Sequence, residues 1–315
     1  MDKIPVGISS CLLGNEVRFD GGHKHDRYVT GTLGKYFDFK PICPEVEIGM
    51  SIPRPPIQLA RDLSAPRLIG VKDKSLDFTD DMLAFANANV DACASLCGYL
   101  FKRGSPSCGM ERIRVYPPGD GAPLGTASGL FARVLMDALP LMPCEDEGRL
   151  NDPPLRENFV TRVFAFHRWR TMRKVGVTPA SLIAFHTQHK YLLLAHSEVH
   201  YRRLGPMLAT AGRDDIESLA DHYVAEFMAG LNQRATRRTH ANVLQHVLGF
   251  LKRNIDAGDK AELVQTISDY RAEKIPLVVP LALLKHHFRR NPDPFISLQY
   301  YLNPYPDDLG LRNAL

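Results

Sequence analysis

The 315-residue chain has no run of some twenty apolar residues, and its opening stretch, MDKIPVGISSCLLGNEVRFDGG, has no apolar core of the kind a secretory signal needs. A membrane-spanning helix and an export leader are therefore not expected, which makes the cytoplasm the expected compartment. Thiols stay reduced there, so the six cysteines (Cys11, Cys43, Cys93, Cys97, Cys108 and Cys144) read as buried thiols, metal ligands or nucleophiles rather than disulfides. The stretch SSCLLGNEVRFDGG after the first apolar run has neither the Walker nor the Rossmann glycine spacing, so no nucleotide cofactor is implied. No histidine pair has the metalloprotease spacing with a glutamate between, and there is no internal repeat or low-complexity tract.

What is present is unevenly divided. Residues 1–144 carry 16 Lys+Arg against 16 Asp+Glu, and residues 145–315 carry 23 against 19, so the whole net charge of +4 lies in the second part. All six cysteines fall at or before residue 144, whereas 10 of the 12 histidines follow it. Two domains with different work are expected, 1–152 and 153–315, joined at the polar stretch PCEDEGRLNDPPLRENF. In the first, IPVGIS, FDFKPIC, CGYLFK, IRVY and LPLMPC read as strands, and DDMLAFANANVDACASL and GLFARVLMDALP as helices. That alternation predicts an α/β domain with a mostly parallel, Rossmann-like sheet. The second shows helical patterns only, as in TPASLIAFHTQHKYLLLAHS with Thr178 as N-cap and Pro179 at the first helical position, and is expected to be all-α.

Ligand sites in parallel sheets lie beyond the carboxyl ends of the strands. Cys11 follows the first predicted strand, Cys43 closes the second, and Cys108 follows CGYLFK through the turn RGSPSCG, each with glycine or proline nearby. Three thiolates meeting in one crevice can hold a metal or an iron-sulfur cluster and leave one coordination position open for chemistry. The spacings match no short zinc-finger pattern, so from spacing alone unrelated buried thiols are an equal reading. Cys93 and Cys97 read as core thiols, and Cys144 as a possible fourth ligand. His23 and His25, beside Lys24 and Arg27 in DGGHKHDR, read as a solvated or substrate-facing loop.

The segments SSCLLG, CPEVEIGMSIPRPPI, RGSPSCG and EDEGRLND together resemble the TudS-type 2-thiouracil desulfidase family over residues 1 to about 152. HTQHKYLLLAHSEVHYRRLGPML and PFISLQYYLNPYPDDL resemble the YbgA-type domain. The fused arrangement is similar to bacterial desulfidases acting on thiolated uridine in transfer RNA. This resemblance implies a 4Fe-4S cluster on Cys11, Cys43 and Cys108 with one iron left for the substrate's sulfur, and Gly109 keeping bulk away from it. It also implies removal of sulfur as sulfide from thiolated uracil without net redox change, most simply from 4-thiouridine. Gln58 stands where the family has an acidic residue.

Such a hydrolysis needs a group that moves protons. Glu45, two residues past Cys43, is the expected general acid/base, the competing reading being a carboxylate paired with Arg54. Ser105 is marked by the resemblance as functional, for positioning or proton relay; Ser107 reads as part of the turn. Ser9 and Ser10 could hydrogen-bond a pyrimidine edge. In the helical part, Lys190, Arg202, Arg203, Arg237, Arg238, Lys285, Arg289 and Arg290 are candidate phosphate contacts for transfer RNA, with Tyr201 or Tyr300 as a stacking ring. The competing function is an RNA-binding regulatory or redox-sensing protein with a structural iron-sulfur or zinc site.

Overall fold

A computed structural model describes residues 2–119, 121–209, 211–212 and 215–314, and the chain divides into two compact units, Met1–Asn151 and Asp152–Leu315. The first unit holds strands β1 (Ile4–Ser9), β2 (Phe37–Ile42), β3 (Ile57–Ala60), β4 (Arg67–Gly70), β5 (Tyr99–Phe101), β6 (Ile113–Tyr116), β7 (Gly125–Ala127) and β8 (Cys144–Asp146). Its helices are α1 (Arg27–Gly31), α2 (Pro44–Glu47), α3 (Thr79–Ala88), α4 (Val90–Cys93) and α5 (Leu130–Ala138).

The expected parallel sheet is there. Its order is β2-β1-β5-β8 with every pairing parallel, β1 and β2 running in register from Ile4 opposite Phe37 to Ser9 opposite Ile42. Val6, Ile8, Tyr99, Leu100 and Phe101 are fully buried, as strands covered on both faces require. Gly7 lets the strands carry this load: a Cβ there would run into the Tyr99 ring. Tyr99 stacks on Phe101 at 4.3 Å between centroids and meets Phe131 of α5 edge-on at 6.1 Å.

A second, mixed sheet, β4-β3-β6-β7, takes the expected strand IRVY as its β6; β3, β4 and β7 were not expected, having three or four residues each, too short to show alternation. Two further expectations need correcting. LPLMPC is a turn, and the strand begins only at Cys144, because the α5 helix ends at Ala138 and the chain must loop back to enter beside β5. The helix read across residues 80–96 breaks at Asn89 into α3 and α4.

The second unit is all-helical among its described residues: α6 (Pro153–Val175), α7 (Pro179–His196), α8 (Glu198–Leu208), α9 (Ile216–Asn232), α10 (Arg237–Leu248), α11 (Ala257–Arg271), α12 (Val278–Arg290) and α13 (Pro294–Ser297). Thr178 caps α7 in a capping box with Ser181, as its sequence predicts. The prolines read as part of a linker, Pro153 and Pro154, instead open the longest helix. Asp152 accepts from the Leu155 N–H as its N-cap, and proline costs nothing at a first-turn position with no intrahelical partner. An aromatic core of Trp169, Phe185, Tyr223 and Phe227 joins α6, α7 and α9. Among the described residues no helix is long and apolar enough to cross a membrane.

Candidate functional site

Parallel strands deliver their ends to one place, and here β1, β2 and β5 each end in a segment bearing a cysteine. Cys11 sits in a 3-10 turn, Ser10–Leu13, that starts directly after β1; its carbonyl accepts from the Gly14 and Lys24 N–H groups. Cys43 is the N-cap of α2, with Pro44 at the first position, and its thiol donates to the Val17 carbonyl at 3.7 Å. Cys108 ends a tight turn closed by the Gly109 N–H to the Ser105 carbonyl at 2.7 Å. All three thiols line one cavity of about 320 Å³ together with Ser9, Ser10, Arg18, Phe19, Lys24, Glu45, Arg54, Lys102, Arg103 and Ser105.

Glu45 stands in the first turn of α2 and is gripped from both sides. Arg54 donates to its Oε2 from Nε at 2.9 Å and from Nη2 at 2.6 Å, while Nη2 also reaches the Val17 carbonyl at 2.8 Å. The side chain of Arg54 is only 3% exposed, so this is an enclosed, charge-assisted fork. Ser107 donates to Glu45 Oε1 at 2.9 Å, and Ser105 lies 3.3 Å from the same oxygen. The Ser105 hydroxyl also accepts the N–H groups of Ser107 at 3.2 Å and Cys108 at 3.1 Å, which fixes the turn carrying the thiol. The pairing of Glu45 with Arg54 is thus real, and it leaves Oε1 facing two hydroxyls.

Burial dominates the electrostatics of the thiols. It pushes Cys11 up to about 11, with Lys102 pulling back and Cys43 adding to the rise. Burial raises Cys43 too, and raises Cys108 well above the usual thiol range, where the charge of Glu45 adds to it and a hydrogen bond from Ser9 opposes it. Three thiols that resist ionisation, share one cavity and come from three separate elements form a donor set fit for a cationic group that would hold them as thiolates. Among the described residues no three His, Cys, Asp or Glu side chains are grouped as the ligands of a single metal ion would be.

Several expected residues take other places. Cys144 opens β8 opposite Tyr99, at the end of the sheet away from the three thiols, and does not line the cavity, because the parallel register puts the start of β8 beside the start of β5. A Cβ on Gly109 would strike Ile113 and the Ser105 carbonyl, so the turn's own packing requires this glycine. Ser9 and Ser10 line the cavity, but Ser9 Oγ accepts the Lys102 N–H at 2.9 Å and Ser10 Oγ accepts from Asn15 at 2.7 Å. Gln58 lies on β3 paired with Ile69, outside the lining. Cys93 and Cys97 are buried at 1% and 2% exposure, as core thiols are. His25 is exposed and bonded to Thr30.

The sequence gives Arg54 and Ser107 only bland roles and passes over Phe19 and Lys102. The one signal for Phe19 is an aromatic in an otherwise polar, glycine-ended stretch. In the helical unit the candidate RNA contacts spread over α7, α8, α10 and α12. Lys190 lies over the Phe295 ring at 4.3 Å, Arg202 pairs with Glu198, Arg203 with Glu226, Lys285 with Asp307, and Arg237 donates to the Tyr270 carbonyl. Arg238, Arg289 and Arg290 are exposed. Tyr300 is covered by Arg168 at 3.8 Å and lies against His189 at 4.5 Å, so its ring is already used; Tyr201 is half-buried on α8.

A parallel-sheet domain with three thiols and a clamped carboxylate at its strand ends, next to an all-helical domain, defines a two-domain class that comparison with known families makes specific. The family model described as 2-thiouracil desulfurase matches residues 6–147, and that described as Protein of unknown function (DUF1722) matches residues 190–306. The chain belongs to the YbgA-like, DUF1722 family through its helical half and carries a 2-thiouracil desulfurase-family domain before it. The Uncharacterized protein YbgA of Escherichia coli (strain K12) is 31% identical over 159 residues, which are 50% of this chain and 94% of that relative. A solved structure of the 4Fe-4S-dependent thiouracil desulfidase TudS is 29% identical, covering 48% of this chain and 95% of its own, with a TM-score of 0.37.

Proposed function

We propose that the protein is a desulfidase that hydrolytically removes sulfur from thiolated uracil, with 4-thiouridine in transfer RNA as substrate and uridine and sulfide as products. In this reading Cys11, Cys43 and Cys108 hold a 4Fe-4S cluster with one open iron. The observation that carries it is the convergence of the three thiols with Glu45 and Ser105 on one cavity, in a domain of the 2-thiouracil desulfurase family. The bound cluster would supply a thiophilic Lewis acid for the thiocarbonyl sulfur.

The chain's own groups supply the proton chemistry. Water replaces sulfur at the ring carbon, so one C–O bond forms, one C–S bond breaks, and the two protons of water must reach the departing sulfide; no electrons are gained or lost. Glu45 is the group that takes and returns them. Its Oε2 is committed to Arg54, which leaves Oε1 for the exchange. Ser107 is fully buried and anchors that oxygen, whereas Ser105 lines the cavity and stands between it and Oε1. Ser105 is then the relay and Ser107 the anchor. The lining also carries Lys24 and Arg103, with Arg18 paired to Asp20 and Lys102 to Glu147, cations that suit a polyanionic substrate.

The test is an anaerobic mass-spectrometric count of 4-thiouridine, 2-thiouridine and uridine in transfer RNA treated with the cluster-loaded protein, with sulfide measured alongside. Conversion of 4-thiouridine to uridine with equimolar sulfide is expected. Unchanged thiolated nucleosides, with free thiouracil also untouched, would refute the reading.

A further inference from the structure

Among the described residues of the cavity wall that neither the thiols nor the proton relay uses, Phe19 is the aromatic one. Phe19 is 42% exposed and lines the cavity together with Cys11, Cys43 and Glu45. Large aromatics in a folded chain are normally covered, and this one is held out by construction. It sits on a tight turn in which the Gly21 N–H reaches the Arg18 carbonyl at 3.0 Å and the Arg18 N–H reaches the Gly22 carbonyl at 3.2 Å, Gly21 taking the positive φ of 74° that a side chain would resist. The Arg18 guanidinium lies 5.4 Å from the Phe19 ring centroid, and the Phe19 carbonyl accepts the Arg54 N–H at 2.9 Å. The Phe19 backbone is therefore tied to the backbone of the residue whose side chain clamps Glu45.

We propose that Phe19 is the stacking platform for the substrate's pyrimidine ring. This rests on the desulfidase reading and adds what holds the ring flat against the cavity wall while its sulfur faces the thiols and its carbon faces Glu45. A thiolated base in RNA has to leave its stack to react, and an exposed aromatic at the destination replaces the lost stacking partner at little cost in side-chain entropy. Any pyrimidine has a π-face, so Phe19 would hold free base, nucleoside and RNA alike; discrimination among them lies with other groups.

Two measurements on the full-length protein test this. The first is turnover of free 4-thiouracil by the cluster-loaded enzyme. Phe19→Ala is expected to raise KM by about 5- to 150-fold with kcat little changed, Phe19→Tyr to stay near wild type, and Phe19→Leu, which keeps apolar bulk but has no π-face, to resemble Phe19→Ala. The second is equilibrium binding of uridine, which has the ring and lacks the sulfur, measured by NMR titration without turnover; the same order of variants is expected in Kd. Wild-type KM and uridine Kd in Phe19→Ala would overturn the platform while leaving the desulfidase reading intact, as would a Phe19→Leu variant equal to wild type. If the loaded wild type releases no sulfide from any thiouracil, the desulfidase reading fails, and uridine affinity that ignores Phe19 sinks the platform with it.

Discussion

The two units bury titratable groups of opposite character. The first buries thiols, whose neutral form is the protonated one; the second buries histidines, whose neutral form is the deprotonated one. His189, His240 and His287 are almost wholly enclosed, and burial drives His189 down to about 3 and the half-buried His186 down to about 4. His189 spends its Nδ1 on the Phe185 carbonyl and stacks on the Phe185 ring at 4.0 Å, which is the behaviour of a packing residue. The thiols differ because they are concentrated at strand ends around a cavity, where low dielectric and mutual charge make them poor at ionising alone and receptive to a cationic partner. The same physical cause, burial, has different settings in the two units: the thiols stand beside a clamped carboxylate at strand ends, whereas His189 lies stacked among rings.

The sharpest way to break that contrast is to remove the thiols one at a time. Cys11→Ser, Cys43→Ser and Cys108→Ser should each abolish iron loading and desulfidation, measured by iron content and sulfide release after anaerobic reconstitution. Cys144→Ser should retain both, since Cys144 lies at the other end of the sheet. Full loading and turnover in any of the first three would remove that residue from the ligand set.

Next in size is the carboxylate. Glu45→Gln should lower turnover by about 100- to 10,000-fold with the cluster's visible spectrum unchanged, the usual worth of general acid/base catalysis. Ser105→Ala should fall nearly as far if it relays protons, and Ser107→Ala less far, because Arg54 still holds Oε2. Equal turnover in Glu45→Gln and wild type would leave Glu45 a purely structural partner of Arg54.

Opposite titration gives opposite pH limits. Cys11 ionises near 9.0 when unfolded and near 11 when folded, so its contribution to stability is whole below about 9 and is lost as the pH climbs through about 11. His189 titrates near 6.5 unfolded and near 3 folded, so its contribution is whole above about 6.5 and is lost as the pH falls toward 3. Each unit of displacement is worth about 1.4 kcal/mol. Thermal melts of cluster-free protein should therefore weaken at both extremes. Anaerobic loading should flatten the alkaline side alone, since ligation holds the sulfurs as thiolates. An alkaline limit that loading does not move would separate the thiols from the cluster.

How much of this contrast the sequence discloses depends on the reach of each signal. IPVGIS becomes β1 residue for residue, and FDFKPIC becomes β2 with its cysteine left over as the cap of α2, because both strands are six residues long and mostly apolar where buried. Of the second sheet IRVY is legible as β6, while β3, β4 and β7 are hidden by their shortness, and α6 by two prolines that read as a break but sit at the first turn. The site is legible as far as the loops that carry the thiols. Which hydroxyl anchors Glu45 and which faces the cavity is decided by backbone hydrogen bonds inside one turn, and no spacing reports those. The placement of Phe19 depends on contacts to Arg54, 35 positions along the chain, which only folding brings together.

The smallest effect belongs to the helical unit and bears on whether its surplus charge has a use. Of the eight basic residues proposed from sequence to contact transfer RNA, Lys190, Arg202, Arg203, Arg237 and Lys285 have partners within the unit, leaving Arg238, Arg289 and Arg290 better placed to meet phosphate. Arg289 and Arg290 close α12, whose C-terminal end favours cations and so pre-orients both. Each phosphate contact adds about 0.9 to the slope of log affinity against log salt for duplex nucleic acid. The paired change Arg289→Glu with Arg290→Glu should therefore lower that slope for transfer RNA by about 2 and weaken binding in low salt, with turnover of free thiouracil unchanged because the cavity that holds the three thiols is lined by residues of the first unit. Arg202→Glu, which loses an exposed pair with Glu198 worth little, should leave the slope where it was. If the paired variant keeps the wild-type slope, the excess of positive charge is a solvated surface and transfer RNA is held elsewhere.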